Sequence, residues 1–102
     1  MRLNPEIKNY IINAAAKYFP GTELYLFGSR VNDNAKGGDI DLLLLSDKKI
    51  PLDDLRKFRV NFYKKFGWQK IDLVNYTFVE ENTFKKIALD NAILINHERS
   101  IN

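Results

Sequence analysis

The sequence contains no cysteine. This absence excludes a disulfide, a thiolate metal site and a cysteine nucleophile, and it agrees with a reducing compartment. Long apolar runs are also missing, since the longest is far below the roughly 18 residues that span a membrane. The beginning, MRLNPEIKNY, has charges and a proline where a signal peptide needs an apolar core. We therefore expect a soluble, cytoplasmic protein without membrane contact.

A dense basic tail or arm of the kind that binds nucleic acid is absent as well. The 16 basic and 13 acidic residues leave a net charge of +3. This charge suits an anionic ligand, but a solvated lysine-rich surface explains it equally well. We expect no direct nucleic-acid binding. With 45% hydrophobic residues in 102 positions, the chain can bury one core, and residues 1–102 are interpreted as a single domain.

Three segments show the apolar spacing that is typical of amphipathic helices. The first begins at Asn4, a favourable cap. The second has a face of phenylalanines, which form core or, if that face is exposed, a partner surface. The third opens with Thr77 and Glu80 at the spacing of a capping box and is either continuous or in two pieces. The predicted helices cover residues 3–19, 51–66 and 77–92.

Short apolar segments alternate with these helices. Three of them are predicted strands, at residues 23–27, 39–45 and 70–76. Residues 93–95 form either a last short strand or the end of the third helix. Strands that alternate with helices indicate a compact α/β or α+β layer fold. The pattern leaves open whether the sheet is parallel or mixed.

Three aspartates interrupt the apolar strands. Asp39 and Asp41 open the second predicted strand, and because residues two apart share a face, their carboxylates are neighbours. Asp72 lies in a matching frame, I-D-L-V against I-D-L-L. Like charges near a packed sheet repel each other and lose hydration. A divalent cation such as Mg²⁺ would stabilise them, because it prefers carboxylate oxygens and leaves other positions for water and phosphate.

Each part of this pattern also has a simpler explanation. A single aspartate at a strand end is usually a solvated boundary residue or a helix cap, and D-x-D alone is a weak metal signal. Gly28 and Ser29, directly after the first predicted strand, mark a strand-to-turn junction in many proteins. They also suit a phosphate, because glycine permits close backbone approach and serine offers a hydroxyl and an N–H. Arg30 adds a cation beside them.

Together these features resemble a known signature. A Gly-Ser pair after a strand, a short loop, D-x-D opening the next strand and an aspartate on a later strand are similar to the nucleotidyltransferase superfamily related to DNA polymerase beta. The stretch LFGSRVNDNAKGGDIDLLLL and the short chain most resemble the minimal nucleotidyltransferases (MNT proteins), over nearly the whole sequence. The resemblance implies a nucleotidyltransferase fold, with a small mixed sheet and helices packed mainly on one side.

The resemblance also implies two groups of site residues. The nucleotide-binding group would hold the β- and γ-phosphates of ATP, the substrate. The catalytic group would bind two Mg²⁺ ions, and its last member would also help to deprotonate the attacking hydroxyl. The implied reaction transfers AMP to a hydroxyl and releases pyrophosphate. The nucleotide-binding residues are Gly28, Ser29 and Arg30, and the catalytic, metal-binding residues are Asp39, Asp41 and Asp72.

MNT proteins are commonly the antitoxins of HEPN-domain ribonuclease toxins. The resemblance therefore implies AMP transfer to a tyrosine hydroxyl of such a toxin, which silences it. Two alternatives stay open: a non-catalytic module that neutralises a partner by binding it, and a nucleotidyltransferase that acts on a small molecule. Relatives of the latter kind usually carry a further helical domain. Without such a domain, the acceptor must come from another protein or from a second subunit of a homo-oligomer.

Overall fold

The helices and strands follow one another in the order that the apolar pattern predicts. The computed structural model describes residues 3–28 and 39–96. Within these ranges the elements are α1 (Pro5–Tyr18), β1 (Glu23–Phe27), β2 (Ile40–Ser46), α2 (Leu52–Lys65), β3 (Ile71–Thr77), α3 (Thr83–Asp90) and β4 (Ile93–Leu94).

The first helix begins where its cap satisfies free backbone groups. The Asn4 side chain accepts hydrogen bonds from the N–H of Glu6 (2.7 Å) and of Ile7 (3.4 Å). Pro5 follows in the first helical position, where a missing N–H does no harm. The predicted cap of this helix is therefore confirmed.

The third helix is shorter than the sequence predicts. Thr77 and Glu80 do form the reciprocal bonds of a capping box, with N–H to side-chain distances of 3.0 and 3.1 Å. However, Thr77 is the last residue of β3, and the chain is not helical again until it has passed Asn82, whose side chain is the actual cap. The prediction of helix over residues 77–82 is wrong, because these bonds stabilise a turn between strand and helix.

The four strands form one mixed sheet in the order β3-β2-β1-β4. Strand β1 is antiparallel to both β2 and β4, whereas β2 and β3 are parallel. The two residues of β4 pair with β1, so this apolar segment is a strand and not the end of a helix. The parallel pairing sets the start of β2 beside the start of β3.

Two clusters of apolar side chains cover the two faces of the sheet. Helices α1 and α2 pack on one face, where alternate residues of β2 meet the phenylalanine face of α2. The remaining alternate residues, Leu43 and Leu45, point to the opposite face and contact Ala88 of α3. Two of the three described helices therefore lie on one side of the sheet. The phenylalanines form core and no partner surface, namely Phe58, Phe62 and Phe66.

In the described ranges, no helix is both long enough and apolar enough to cross a membrane.

Candidate active site

Two of the predicted aspartates meet across the parallel strands. Asp41 is the second residue of β2, Asp72 is the second residue of β3, and the two are direct register partners. Because neighbouring strands lie about 4.8 Å apart, their carboxylates are neighbours on the same face of the sheet. Asp39 lies just before β2 and is exposed, as is Asp72, whereas Asp41 is half-buried.

The charges of Asp72 and Asp39 both affect the pKa of the half-buried Asp41. Burial raises the pKa of Asp41 above its usual range, and the negative charges of Asp72 and Asp39 raise it further. Desolvation and like charge both disfavour the ionised form of a carboxyl group. The structure thus brings the three aspartates into one electrostatic cluster, which a bound cation would relieve.

Gly28 directly follows β1 and lies beside this cluster. Its φ of +80° lies in the left-handed region that side chains other than hydrogen rarely adopt. A Cβ built on Gly28 would collide with Oδ2 of Asp41 and lie 3.2 Å from Cγ of the same residue. Glycine is needed here for its backbone conformation and also for the room that it leaves to the Asp41 carboxylate. The other two predicted phosphate-binding residues, Ser29 and Arg30, lie outside the described residues.

The chemistry of this corner fits a hard divalent cation. Carboxylates are the ligands that Mg²⁺ takes in proteins. This cluster contains three carboxylates, and the half-buried one, Asp41, is repelled by the charges of the other two. In the part of the chain that the structure describes, no three acidic, histidine or cysteine side chains are already arranged to hold a metal ion. Asp39, Asp41 and Asp72 are the residues that would hold such an ion.

A cleft of about 580 Å³ opens over the two paired aspartates. Phe27 and Phe84 form one wall, with their ring centroids 5.9 Å apart in an edge-to-face arrangement. Consecutive residues 71–74 of β3 form the base, and α2 contributes Arg59 and Tyr63. The cleft thus runs from the aspartate cluster to the outer edge of the sheet.

Sequence reasoning missed the side chains that α2 and α3 bring to this cleft. Tyr63 is the best-defined of them: its hydroxyl donates to the carbonyl oxygen of Ile71 (3.2 Å) and accepts from the N–H of Ile71 (3.3 Å). These bonds hold the start of β3 immediately before Asp72. A single tyrosine or arginine within an amphipathic helix carries no local signal, so only the packing of α2 against β3 reveals it.

Several solved structures share this fold. A mutant of the toxin–antitoxin complex MntA-HpeT aligns with a TM-score of 0.69 at 18% identity, over 91% of this chain and 72% of that chain. A tri-AMPylated Shewanella oneidensis HEPN toxin in complex with MNT antitoxin gives 0.65 at 18% identity, over 88% and 69%. A toxin–antitoxin complex with AMP-PNP gives 0.68 at 19% identity, over 86% and 71%. At such identities the likeness shows the fold.

Comparison at the level of sequence families is more specific. The chain has no match among curated proteins. A family model described as polymerase beta, nucleotidyltransferase, matches residues 9–100, a range that includes all the predicted site residues. Since this match spans most of the sequence, the protein belongs to the polymerase beta nucleotidyltransferase family.

Proposed function

We propose that this protein transfers AMP from ATP, with Mg²⁺, to a tyrosine hydroxyl of a HEPN-domain toxin and thereby acts as its antitoxin. The observation that carries the proposal is the pairing of Asp41 with Asp72 across β2 and β3, beside the glycine that directly follows β1. The nucleotidyltransferase family performs transfer of this kind, and the matched range contains all three elements.

The structural neighbours support the finer parts of the proposal. One of them is a complex between an MNT antitoxin and a tri-AMPylated HEPN toxin, and another contains AMP-PNP, an ATP analogue. Those names describe other proteins at 18–19% identity. These two neighbours are the basis for the hypothesis that the acceptor is a HEPN-domain toxin and that the donor is ATP.

Different site residues serve the two substrates, the ATP donor and the hydroxyl acceptor. Gly28 lets the backbone approach the nucleotide at the end of β1, and Ser29 and Arg30 would bind its phosphates. Asp39 and Asp41 would hold Mg²⁺ on the donor side. Bound Mg²⁺ would withdraw charge from the phosphate oxygens and favour the ionised form of the attacking hydroxyl.

The acceptor side of the site belongs to Asp72. This residue lies on the edge strand, is exposed and lines the cleft, so an incoming hydroxyl can reach it. In the reaction, the hydroxyl oxygen bonds to the α-phosphorus, and the bond between the α- and β-phosphates breaks. The hydroxyl proton passes to the Asp72 carboxylate as a general base, and pyrophosphate leaves.

The test uses ATP labelled at the α-phosphate together with a purified HEPN-domain protein. Label should appear on the HEPN protein with wild type and disappear with Asp41→Asn, which keeps the shape of the side chain and removes its charge. The matched control is Asp53→Asn, since Asp53 lies on the exposed face of α2 in a pair with Arg56. Equal labelling by wild type and Asp41→Asn would contradict the proposal. Neutralisation of the toxin without any label would indicate the contact-only module instead.

A further inference from the structure

We infer that the outer edge of β3 receives an extended segment of the protein acceptor as an added strand, next to Asp72. The inference rests on the proposed function for the identity of the acceptor. That β3 is an edge strand follows from the strand order of the sheet. Which of its backbone groups are open depends on the hydrogen bonds that they already make.

Half of the backbone groups of β3 face away from the sheet. The N–H of Ile40 donates to the carbonyl of Lys70, and the N–H of Phe78 donates to the carbonyl of Ser46, both at 2.9 Å. Even-numbered residues of this segment therefore turn their N–H and C=O groups towards β2. Since direction alternates along a strand, the groups that point outwards belong to Ile71, Leu73, Asn75 and Thr77.

Side chains cover both ends of this outer edge. At the beginning, the hydroxyl of Tyr63 pairs with both groups of Ile71. At the end, the N–H of Thr77 donates to Glu80 (3.0 Å), and the ammonium of Lys85 donates to the carbonyl of Thr77 (3.0 Å). Lys85 is buried and donates to two further carbonyls of the same turn. Such caps prevent unspecific pairing at a sheet edge.

The middle of the edge is open. In residues 3–28 and 39–96, the outward N–H and C=O groups of Leu73 and Asn75 have no hydrogen-bond partner. The side chain of Asn75 does not cover them, since it accepts from the N–H of Ile50 and donates to the carbonyl of Leu44. Two donors and two acceptors thus alternate over about 7 Å of strand, which is the spacing of an extended polypeptide.

There is room for such a segment along this edge. The cleft over the aspartates includes Leu73 and Val74. A second cleft of about 470 Å³ includes the same two residues together with Asn75, and it continues towards Lys49 and Leu52. The open backbone groups therefore lie where the two clefts meet. This continuity joins the edge to the candidate site.

The position of the edge also explains how a hydroxyl would reach the site. An added strand lies about 4.8 Å from β3, and its alternate side chains fall on the face that carries Asp41 and Asp72. A tyrosine in such a position neighbours Asp72 directly. Backbone complementarity at peptide spacing favours a polypeptide over a nucleic acid or a small molecule, and the short open stretch selects one extended segment.

The first test is amide hydrogen exchange of the ¹⁵N-labelled protein, alone and with saturating HEPN-domain protein. We expect exchange at Leu73 and Asn75 to slow at least tenfold in the complex, because both amides gain an acceptor. The amide of Leu94, on the opposite edge strand, serves as the reference. Binding with unchanged exchange at Leu73 and Asn75 would overturn the inference. Protection that rises with the concentration of this protein alone would also overturn it, since a second copy would then occupy the edge.

A variant pair tests the same edge by activity. Leu73→Pro removes the outward N–H, and edge strands tolerate proline where the N–H faces solvent. Leu73→Ala removes the side chain and keeps the N–H. Relative to the alanine variant, Leu73→Pro should raise the KM for the acceptor roughly three- to tenfold, the value of one hydrogen bond, while AMP-PNP binding is equal in both. An equal KM in the two variants would contradict the inference.

The two tests separate the inference from the proposed function. Amide protection at Leu73 and Asn75 without AMP transfer by wild type would contradict adenylyl transfer and support binding of the acceptor segment at the edge of β3. AMP transfer without protection at these amides would contradict binding of the acceptor segment at the edge of β3 and support adenylyl transfer.

Discussion

Gly28 and Asp41 lie so close together that a methyl group on Gly28 would collide with the carboxylate of Asp41. The contact joins the end of β1 to the start of β2 at the point where their register pairing places Phe27 opposite Asp41. In the proposed site, Gly28 of the phosphate-binding group is therefore packed directly against the carboxylate of Asp41.

A pair of glycine variants can measure this contact. Gly21 and Gly28 have nearly the same φ, +82° and +80°, but a Cβ on Gly21 would meet nothing within 4 Å. Gly21→Ala should lower the free energy of unfolding by about 1 kcal/mol through backbone strain alone. Gly28→Ala should lower it by about 1–2 kcal/mol more and also reduce AMP transfer. Urea denaturation measures the free energy of unfolding of both variants. Equal losses in the two variants would show that the Asp41 side chain moves aside without a loss of stability.

The raised pKa of Asp41 predicts a gain of stability on removal of its charge. Burial and the charges of Asp72 and Asp39 raise this pKa in the folded protein, so the folded state binds the proton more tightly than the unfolded state. Stability therefore falls as the pH rises from the ordinary pKa of an aspartate through the raised one, and the penalty persists above it.

Thermal unfolding of Asp41→Asn in the presence of a chelator tests this consequence. The variant should unfold at a higher temperature than wild type at neutral pH, although we expect it to be inactive in the proposed AMP transfer. The difference should shrink as the pH falls below the raised pKa. A variant that is less stable than wild type at neutral pH would show that Asp41 has a stabilising partner.

The hydroxyl of Tyr63 is expected to support Asp72 through the backbone. Tyr63→Phe removes both hydrogen bonds to Ile71 and should lower the free energy of unfolding by about 1 kcal/mol. AMP transfer should fall by a larger factor than stability explains, because Asp72 loses its fixed position. Tyr18→Phe is the control, since its hydroxyl bonds Asn61 on the far side of α2. If both variants transfer AMP equally well, Tyr63 has only a local role.

Lys85 should be the most sensitive lysine of the described chain to substitution. Its ammonium is buried and donates to three backbone carbonyls, with distances between 2.6 and 3.0 Å. Lys85→Met keeps most of the volume and should lower the free energy of unfolding by about 2–3 kcal/mol, because the charged hydrogen bonds of a buried ammonium are lost. Lys86→Met, at an exposed neighbouring position, should change it by less than about 0.5 kcal/mol. Chemical denaturation of the two variants provides the comparison.

The sequence predicts most of the fold because its elements are locally consistent. Apolar spacing locates α1 and α2 and the strands to within one or two residues, and Asn4 caps the helix that it is expected to cap. The failure at residues 77–82 has a definite cause. Thr77 and Glu80 have the spacing and the bonds of a capping box, but the strand pairing of Thr77 with β2 takes precedence over helix formation.

The candidate site is predictable only in part. Asp39 directly precedes β2 and Asp41 lies in it, so their proximity follows from their separation of two residues along an extended segment. The pairing of Asp41 with Asp72, in contrast, needs the parallel order of β2 and β3. The steric reason for Gly28 also depends on that packing. Tyr63 and Lys85 bond to backbone groups only five to eight residues away. Which groups they reach depends on how α2 and α3 are placed beside β3, and no spacing in the sequence indicates it.

The most direct test of the central claim is the intact mass of a purified HEPN-domain protein after incubation with this protein, ATP and Mg²⁺. We expect the mass to increase by one or more whole AMP units, localised to tyrosine by fragmentation. The increase should be absent with Asp41→Asn and after addition of EDTA. An unchanged mass of a HEPN protein that this protein nevertheless binds and neutralises would contradict adenylyl transfer and identify an antitoxin that acts by contact.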